Sequence, residues 1–309
     1  MQAESNCPKP IPMRVLTLNV YFGKGKTFRT SALLRFLMCA AADFVCLQEV
    51  TPPVHDAICT DAEISSCYLL SPFKTDNYGI LMLVKRDIGC CRFEEHNLPS
   101  YMERTLLLAV VSNLPGFSGD LCIATSHFES LANAPIRRKQ LSVASEMLRQ
   151  FPCAVLCGDF NFDASRNFRE GEGELENMAL KEILPEYQDV WDVLHPREPG
   201  YTFDSTRNGS IPQYERMRYD RVLSRNLKSL SLDIVATKRL PSEAEVAKAG
   251  GWHTLQLGLL KCDGELDGSH QNLTPTTTFD SPPPKLKPSD VGTWLSDHFG
   301  LLYEFAGVT

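Results

Sequence analysis

Short apolar runs recur along the whole chain, and many of them stop abruptly at an amide, a carboxylate or an imidazole. The first ends Leu16-Thr17-Leu18-Asn19 and the second Cys46-Leu47-Gln48-Glu49. Others lead into Thr125-Ser126-His127, Gly158-Asp159-Phe160-Asn161, Arg218-Tyr219-Asp220 and, ahead of the last run, Ser296-Asp297-His298. A strand buried in a packed sheet is apolar throughout, so its polar residues gather at its ends, and many such ends can converge on one cleft.

The runs are rich in β-branched and aromatic residues, and turns and a few helical patterns separate them. Strands are expected at Met13–Val20, Asp43–Val50, Tyr78–Lys85, Thr105–Leu114, Leu121–Ser126, Ala154–Gly158, Arg218–Leu223 and Gly300–Phe305. Helices are expected at Thr30–Ala41, Ala134–Gln150 and Leu175–Leu184. In the second of these, Ile136, Gln140, Val143, Met147 and Phe151 share one face at three- and four-residue spacing, with basic residues opposite. There is no internal repeat and no clean point at which to divide residues 1–309 into two domains. Residues 1–12 read as a polar tail. Residues 241–293, with Gly250-Gly251, Thr276 to Thr278 and Pro282 to Pro284, read as a long insertion or lid.

No apolar run reaches the ~18 residues needed to cross a bilayer, and the first twelve residues lack the apolar segment of a secretory signal. The eleven cysteines are odd in number, without CxxC spacing, and Cys46, Cys122 and Cys157 lie inside apolar runs. They read as reduced thiols of an intracellular protein. The formal net charge of −7 argues against a broad, sequence-blind DNA clamp, though it permits a local positive patch around one phosphate.

Taken singly, Gln48-Glu49 is a solvated strand end, Asp159-x-Asn161 an Asx turn and Ser296-Asp297-His298 a cap or turn. Their conjunction suits phosphodiester hydrolysis, which needs charge neutralised on phosphate oxygens, an activated water and a stabilised leaving oxygen. A hard cation such as Mg²⁺, or Mn²⁺ in its place, prefers a carboxylate together with waters and substrate phosphate. Glu49 is the ligand candidate, with Asp297 and Asn19 helping directly or through water. Asp159 can take a proton from the attacking water while Asn161 holds the geometry. His298 can bond a non-bridging oxygen, and Asp220 can orient that imidazole.

Together these pieces resemble the endonuclease/exonuclease/phosphatase superfamily, which includes DNase I, abasic-site endonucleases, inositol polyphosphate phosphatases, neutral sphingomyelinases and deadenylases. The likeness runs from about residue 13 to 305. It implies a DNase I-like α/β fold, a four-layered α/β/β/α sandwich with two central mixed sheets. A closer likeness is to the 5′-tyrosyl-DNA phosphodiesterases, carried by Asp43 to Pro53, Thr125 to Ser130, Tyr201 to Ser205, Ile211-Pro212 ahead of Arg218-Tyr-Asp-Arg221, and Ser296 to Leu302. That branch implies action on DNA 5′ ends carrying a tyrosyl adduct of topoisomerase II, by a monomer resident in the nucleus. It implies that His127 meets the phosphate opposite His298, and assigns Ser130, Phe203 and Arg218 to the substrate. The branch has a basic residue two positions after the motif Asn, whereas this chain has Asp163, and its Tyr-Thr-Trp is Tyr-Thr-Phe203 here.

Bland alternatives stay beside several of these residues. His127 can be a backbone-bonded strand end and Phe203 a core side chain. Arg137-Arg138-Lys139 reads as a solvated helix face before it reads as a phosphate contact. Arg216, Arg218 and Arg221 alternate, so that some can line the cleft. Gly23 to Thr27 fails as a Walker A loop because Val20 stands where a glycine is required, although Lys24 or Lys26 could touch phosphate. Two rival functions remain: a same-fold enzyme acting on RNA, inositol phosphate or sphingolipid, and a catalytically silent phosphate-binding module.

Overall fold

The computed structural model of the protein describes residues 11–23, 26–167, 173–251 and 293–308. Its strands in chain order are β1 (Met13–Asn19), β2 (Phe44–Val50), β3 (Tyr68–Leu70), β4 (Gly79–Lys85), β5 (Cys91–Asn97), β6 (Thr105–Val111), β7 (Leu121–His127), β8 (Cys153–Asp159), β9 (Gln188–Asp189), β10 (Phe203–Asp204), β11 (Arg216–Met217), β12 (Asp220–Arg225), β13 (Leu227–Val235) and β14 (Gly300–Gly307). Its α-helices are α1 (Lys26–Ala40), α2 (Pro52–Thr60), α3 (Ala62–Cys67), α4 (Ala134–Leu148), α5 (Met178–Ile183), α6 (Val190–Leu194) and α7 (Glu243–Lys248). One six-stranded sheet has the order β13-β14-β1-β2-β4-β3 and a second the order β5-β6-β7-β8-β12-β9. Both are mixed: β1 is parallel to β2 and antiparallel to β14, while β8 is parallel to β7 and antiparallel to β12.

The near-continuous apolar runs are explained by burial on both faces of each central strand. Met13 and Val15 of β1, Phe44 and Cys46 of β2, Leu121 and Ile123 of β7, and Cys153, Val155 and Cys157 of β8 meet in one core between the sheets. The alternate residues face outward. Leu16, Leu18, Val45 and Leu47 pack under α1, α2 and α3, and Cys122, Ala124, Ala154 and Leu156 pack under α4 and α5. The result is the expected α/β/β/α sandwich. Among the described residues no helix is long and apolar enough to cross a membrane, and the nine described cysteines are all free.

The period-2 rule also sets the site, because side chains two apart share a face. Asn19 continues the inward row of β1, His127 that of β7, Asp159 that of β8 and Asp220 that of β12. Glu49 does not. After the inward Cys46 and Gln48, alternation would turn it toward the helices. The β2–β4 register shifts between Leu47 and Val50, and Glu49 has φ +60°. This bulge re-aims the side chain.

Several local expectations need correction. Strands β5 and β13 escaped detection because their burial alternates with exposed polar positions. Helices α2 and α3 begin at Pro52-Pro53 and at an Asp61 cap, punctuation that resembles a loop. On α4 the buried row is Arg137, Gln140, Leu141, Ala144 and Leu148; Ile136, Val143 and Met147 are only half-buried. Arg137 is therefore not a solvated residue. It is fully buried, with Nε and Nη2 donating to Glu176 at 2.6 and 2.8 Å and Nη1 to Glu129 O and Leu131 O. Most of the 241–293 segment lies outside the described residues, as do residues 1–10 and Lys24. Its described start forms α7, closed by a Ser242–Glu245 capping box, and Leu240 N donates to Thr293 O at 2.8 Å, which joins the two ends of the segment.

Candidate active site

The ends of β1, β2, β7, β8 and β12, with the segment before β14, meet at one rim of the seam between the sheets. Just below, Gln48 bridges the layers: its Nε2 donates to Thr125 Oγ1 at 3.0 Å and to Thr17 Oγ1 at 3.2 Å. All three residues are fully buried. A satisfied polar layer of this kind fixes the register of the two sheets where the site residues emerge.

Asp159 is the hub. Its Oδ2 accepts from Asn19 Nδ2 at 3.0 Å, and its Oδ1 from Asn161 N at 2.9 Å. His127 Nε2 lies 3.5 Å and His298 Nε2 3.8 Å from Oδ2. Burial would raise this carboxyl, but the two imidazoles and the Asn19 and Asn161 bonds outweigh it and hold Asp159 below the usual range. The turn before it demands glycine: Gly158 has φ +132°, and a Cβ there would stand 2.1 Å from Ser126 O. Asn161, at φ +56°, does form an Asx turn on Asp159, and its Nδ2 also donates to Phe128 O at 2.9 Å. Asn161 thereby ties the end of β8 to the end of β7.

His298 Nδ1 is 2.8 Å from Asp220 Oδ2. Burial alone would depress this imidazole, but the Asp220, Asp159 and Asp297 carboxylates prevail and lift it well above its ordinary value. Ser296 Oγ accepts from His298 N at 3.1 Å. Thr202 ties the pair together, since its Oγ1 accepts from Asp220 N at 3.0 Å and its carbonyl from Phe299 N at 2.7 Å. Asn208, fully buried, donates from Nδ2 to Ser296 O and Asp297 O.

Glu49 and Asp297 form the acidic wall. Burial raises Glu49, a bond from Phe22 N to Oε2 at 2.9 Å opposes the rise, and the Asp297 charge adds to it. Burial likewise raises Asp297, and the Asp159 charge adds to that. Two half-buried carboxylates, each disfavoured as an anion by a neighbouring carboxylate, make a hard-oxygen donor set which a divalent cation would relieve, so these residues fit such an ion. Asn19 joins the hub through Asp159, and the Tyr21–Phe22 stretch that follows it bonds both Asn19 Oδ1 and Glu49 Oε2. Among the described residues, the cluster of acid, thiol and imidazole ligand atoms within 4.8 Å of one another is instead Asp159, Asp220 and His298. Its tightest contact is already the Asp220–His298 hydrogen bond.

Some substrate candidates stand elsewhere than expected. Arg218 does not line the cleft: its Nη2 is 2.7 Å from Asp192 and 3.4 Å from Asp189, beside the Arg221–Asp189 pair at 2.8 Å. Phe203 is buried to 9% exposure and packs with Ile211, Met217 and Tyr219. Its ring meets His298 edge-on at 5.0 Å, so it backs the imidazole and is no open platform. Asp163 is buried and accepts from Arg218 N at 2.6 Å and Ser165 N at 2.9 Å. Ser130 stands behind His127 and not at the hub itself; its Oγ accepts from Arg104 Nη2 at 3.0 Å.

Arg104 and Tyr78 were not singled out in the sequence. Arg104 is 6% exposed, has no carboxylate within ion-pair distance among the described residues, and keeps Nε buried without a partner. The shorter of its two contacts with His127 is Nη1 to Nδ1 at 3.1 Å. A guanidinium only donates, so Nδ1 accepts and the proton belongs on Nε2, facing Asp159. Burial, with the Arg104 charge behind it, drives His127 down to about 3 against the pull of Asp159. The guanidinium also lies 5.5 Å from the Tyr78 ring centroid, and Phe22, 45% exposed, stacks on Tyr78 at 4.8 Å. A single arginine ahead of an apolar run carries no pattern, so only the tertiary contacts reveal it.

A model of the Endonuclease/Exonuclease/phosphatase family matches residues 16–298, a span that ends on the candidate imidazole. No curated protein sequence matches the chain. Among solved structures, D. rerio TDP2 complexed with single strand DNA product aligns with a TM-score of 0.67 at 21% identity, over 95% of this chain and 98% of that one. Truncated Caenorhabditis elegans TDP2 gives 0.66 at 17%, over 96% and 98%. The human Nocturnin catalytic domain with bound sulfate anion gives 0.59 at 15%, over 96% and 93%. At these identities the likeness is one of fold.

Proposed function

The chain belongs to the endonuclease/exonuclease/phosphatase family, and from that premise we propose that it is a divalent-cation-dependent phosphodiesterase acting on 5′-phosphotyrosyl ends of DNA, leaving a 5′-phosphate. The observation that carries the reading is the pairing of the Asp159 hub with a buried, carboxylate-free Arg104 beside Tyr78 and Phe22. A phosphate at the hub would have an aromatic leaving group within reach of that flank, where a guanidinium can stabilise phenolate and rings can stack.

Glu49, Asp297 and Asn19 would hold Mg²⁺, or Mn²⁺ in its place. When bound, the ion would neutralise charge on the phosphate oxygens. The ionised Asp159 accepts a hydrogen bond from the attacking water and orients it, with Asn19 and Asn161 fixing the carboxylate. His298, kept positive by Asp220, donates to a non-bridging oxygen as charge develops there. His127, neutral and with its proton on Nε2, offers a second donor from the other side. Nuclear residence and monomeric action go with the DNA substrate.

A second reading, a small phosphodiester such as an inositol phosphate or a sphingolipid, or an RNA, is favoured by one observation. Arg218 and Arg221 are engaged by Asp189 and Asp192, and Asp163 is turned inward, so this part of the rim offers a polyanion little. The test offers a 5′-tyrosyl oligonucleotide, plain duplex, an RNA, an inositol phosphate and sphingomyelin, each with Mg²⁺ and with chelator. Mg²⁺-dependent release of tyrosine supports the proposal. Turnover of a lipid, inositol or RNA substrate alone would replace it with the second reading, and no turnover of any would leave a silent phosphate-binding module.

A further inference from the structure

We propose that Arg29 is a positioning residue of the cation site, locking the loop after Asn19 and the segment before Asp297 into one geometry. The inference rests on the reading of Asn19, Glu49 and Asp297 as the cation-holding residues. Arg29 lies on α1, 8% exposed. Its Nη2 donates to Tyr21 O and Gly23 O, each at 3.0 Å, and its Nη1 to Val20 O and Leu295 O, each at 3.4 Å. The guanidinium also lies over the Tyr21 ring at 4.9 Å.

Two of those carbonyls belong to peptide groups whose other end serves the site. The Val20–Tyr21 peptide takes Arg29 on its oxygen and donates its N–H to Asn19 Oδ1 at 2.9 Å. The Tyr21–Phe22 peptide takes Arg29 on its oxygen and donates its N–H to Glu49 Oε2 at 2.9 Å. A positive charge on each carbonyl polarises the peptide and strengthens the bond from its N–H. Tyr21 is held at φ +58°, a costly conformation for a non-glycine residue that the surrounding bonds must impose. Through Leu295 O the same guanidinium reaches the chain two residues before Asp297. Arg29 thus orients three site residues by way of the backbone, and its charge faces the Glu49 and Asp297 carboxylates. A lysine retains the charge but has one compact ammonium, which cannot span four carbonyls as the planar fork does.

The test measures Mn²⁺ binding to the full chain by electron paramagnetic resonance, without a phosphodiester, for Arg29→Lys, Arg29→Met and the control Arg35→Lys. Arg35 lies on the same helix and pairs with the exposed Glu63, so its variant is expected to bind as the wild type does. Both Arg29 variants are expected to melt cooperatively and to bind Mn²⁺ ~10- to 100-fold more weakly, with amide exchange quickened at Tyr21 and Phe22 and unchanged along β8. Folded variants with wild-type Mn²⁺ affinity would overturn the inference. Collapse of the fold in both would also overturn it, by assigning Arg29 to the core alone. A wild-type chain that binds no Mn²⁺ would instead remove the cation reading beneath it.

Discussion

His298 and His127 approach the same Asp159 oxygen from two sides, yet the fold makes one cationic and leaves the other neutral. Behind His298 stand Asp220 at 2.8 Å and the Asp297 carboxylate, and the imidazole is held protonated. Behind His127 stands Arg104 at 3.1 Å, and the imidazole is driven down to about 3. Residue type, hub and depth of burial are alike on the two flanks. The neighbour one step further out decides which histidine donates as a cation and which as a neutral group. The cationic flank suits developing charge on phosphate, and the arginine-backed flank suits an aryl leaving group.

The largest test of that contrast removes each imidazole in turn. His298→Ala is expected to lower kcat at least ~10²-fold, as loss of a key transition-state donor does, and His127→Ala to cost distinctly less. Equal losses, measured on one tyrosyl substrate, would erase the distinction. Glu49→Gln should likewise cost ~10²-fold, with Mn²⁺ binding weakened and His127 unmoved by NMR titration. A wild-type rate would break the assignment of the cation to the His298 side.

Arg104→Met sharpens the comparison from the other flank. Tyrosyl substrates should slow by ~10-fold, the lower end of what one hydrogen bond to a charged group contributes, while an alkyl phosphodiester changes little. The same substitution should raise the His127 pKa above its value of about 3. A uniform loss across leaving groups would show that Arg104 serves the phosphate instead.

The smallest effect concerns stability against pH. The unfolded chain protonates a histidine near ~6.5, but folded His127 takes no proton until about 3. Between these values the unfolded state binds more protons, so His127 makes stability fall as pH falls through that window. His298 acts the other way: its contribution is complete below ~6.5 and is lost as pH climbs through its raised value. His127→Gln should therefore flatten the acid side of the melting-temperature profile and leave the alkaline side alone. An unchanged acid slope would mean that burial and the Arg104 charge do not hold His127 neutral in the folded chain.

Much of this was legible in the chain. Eight apolar runs gave eight of the strands, and their polar ends named Asn19, His127, Asp159 and Asp220, because period-2 alternation carries an inward row straight into the cleft, while His298 was named by the Ser-Asp-His turn ahead of the last run. Runs buried on one face only, such as β5 and β13, carried too little apolar signal. Arg137 and Arg218 were misread for a different reason: sequence records a charge but not the Glu176, Asp189 or Asp192 that neutralises it. Phe203 stayed open between platform and core because an aromatic at a strand end looks the same whether it faces solvent or the back of His298.

Sequence alone determined the central strands and their reactive ends, since hydrophobic periodicity acts locally along the chain, and the resemblance carried by those ends implied the four-layered sandwich. Tertiary structure decided the rest. The bulge that turns Glu49 inward, the Arg29 bonds beneath the Asn19 loop and the differing protonation of the two histidines all depend on groups tens to hundreds of residues apart. Electrostatic and hydrogen-bond energies follow distance in space, and only the folded chain sets those distances.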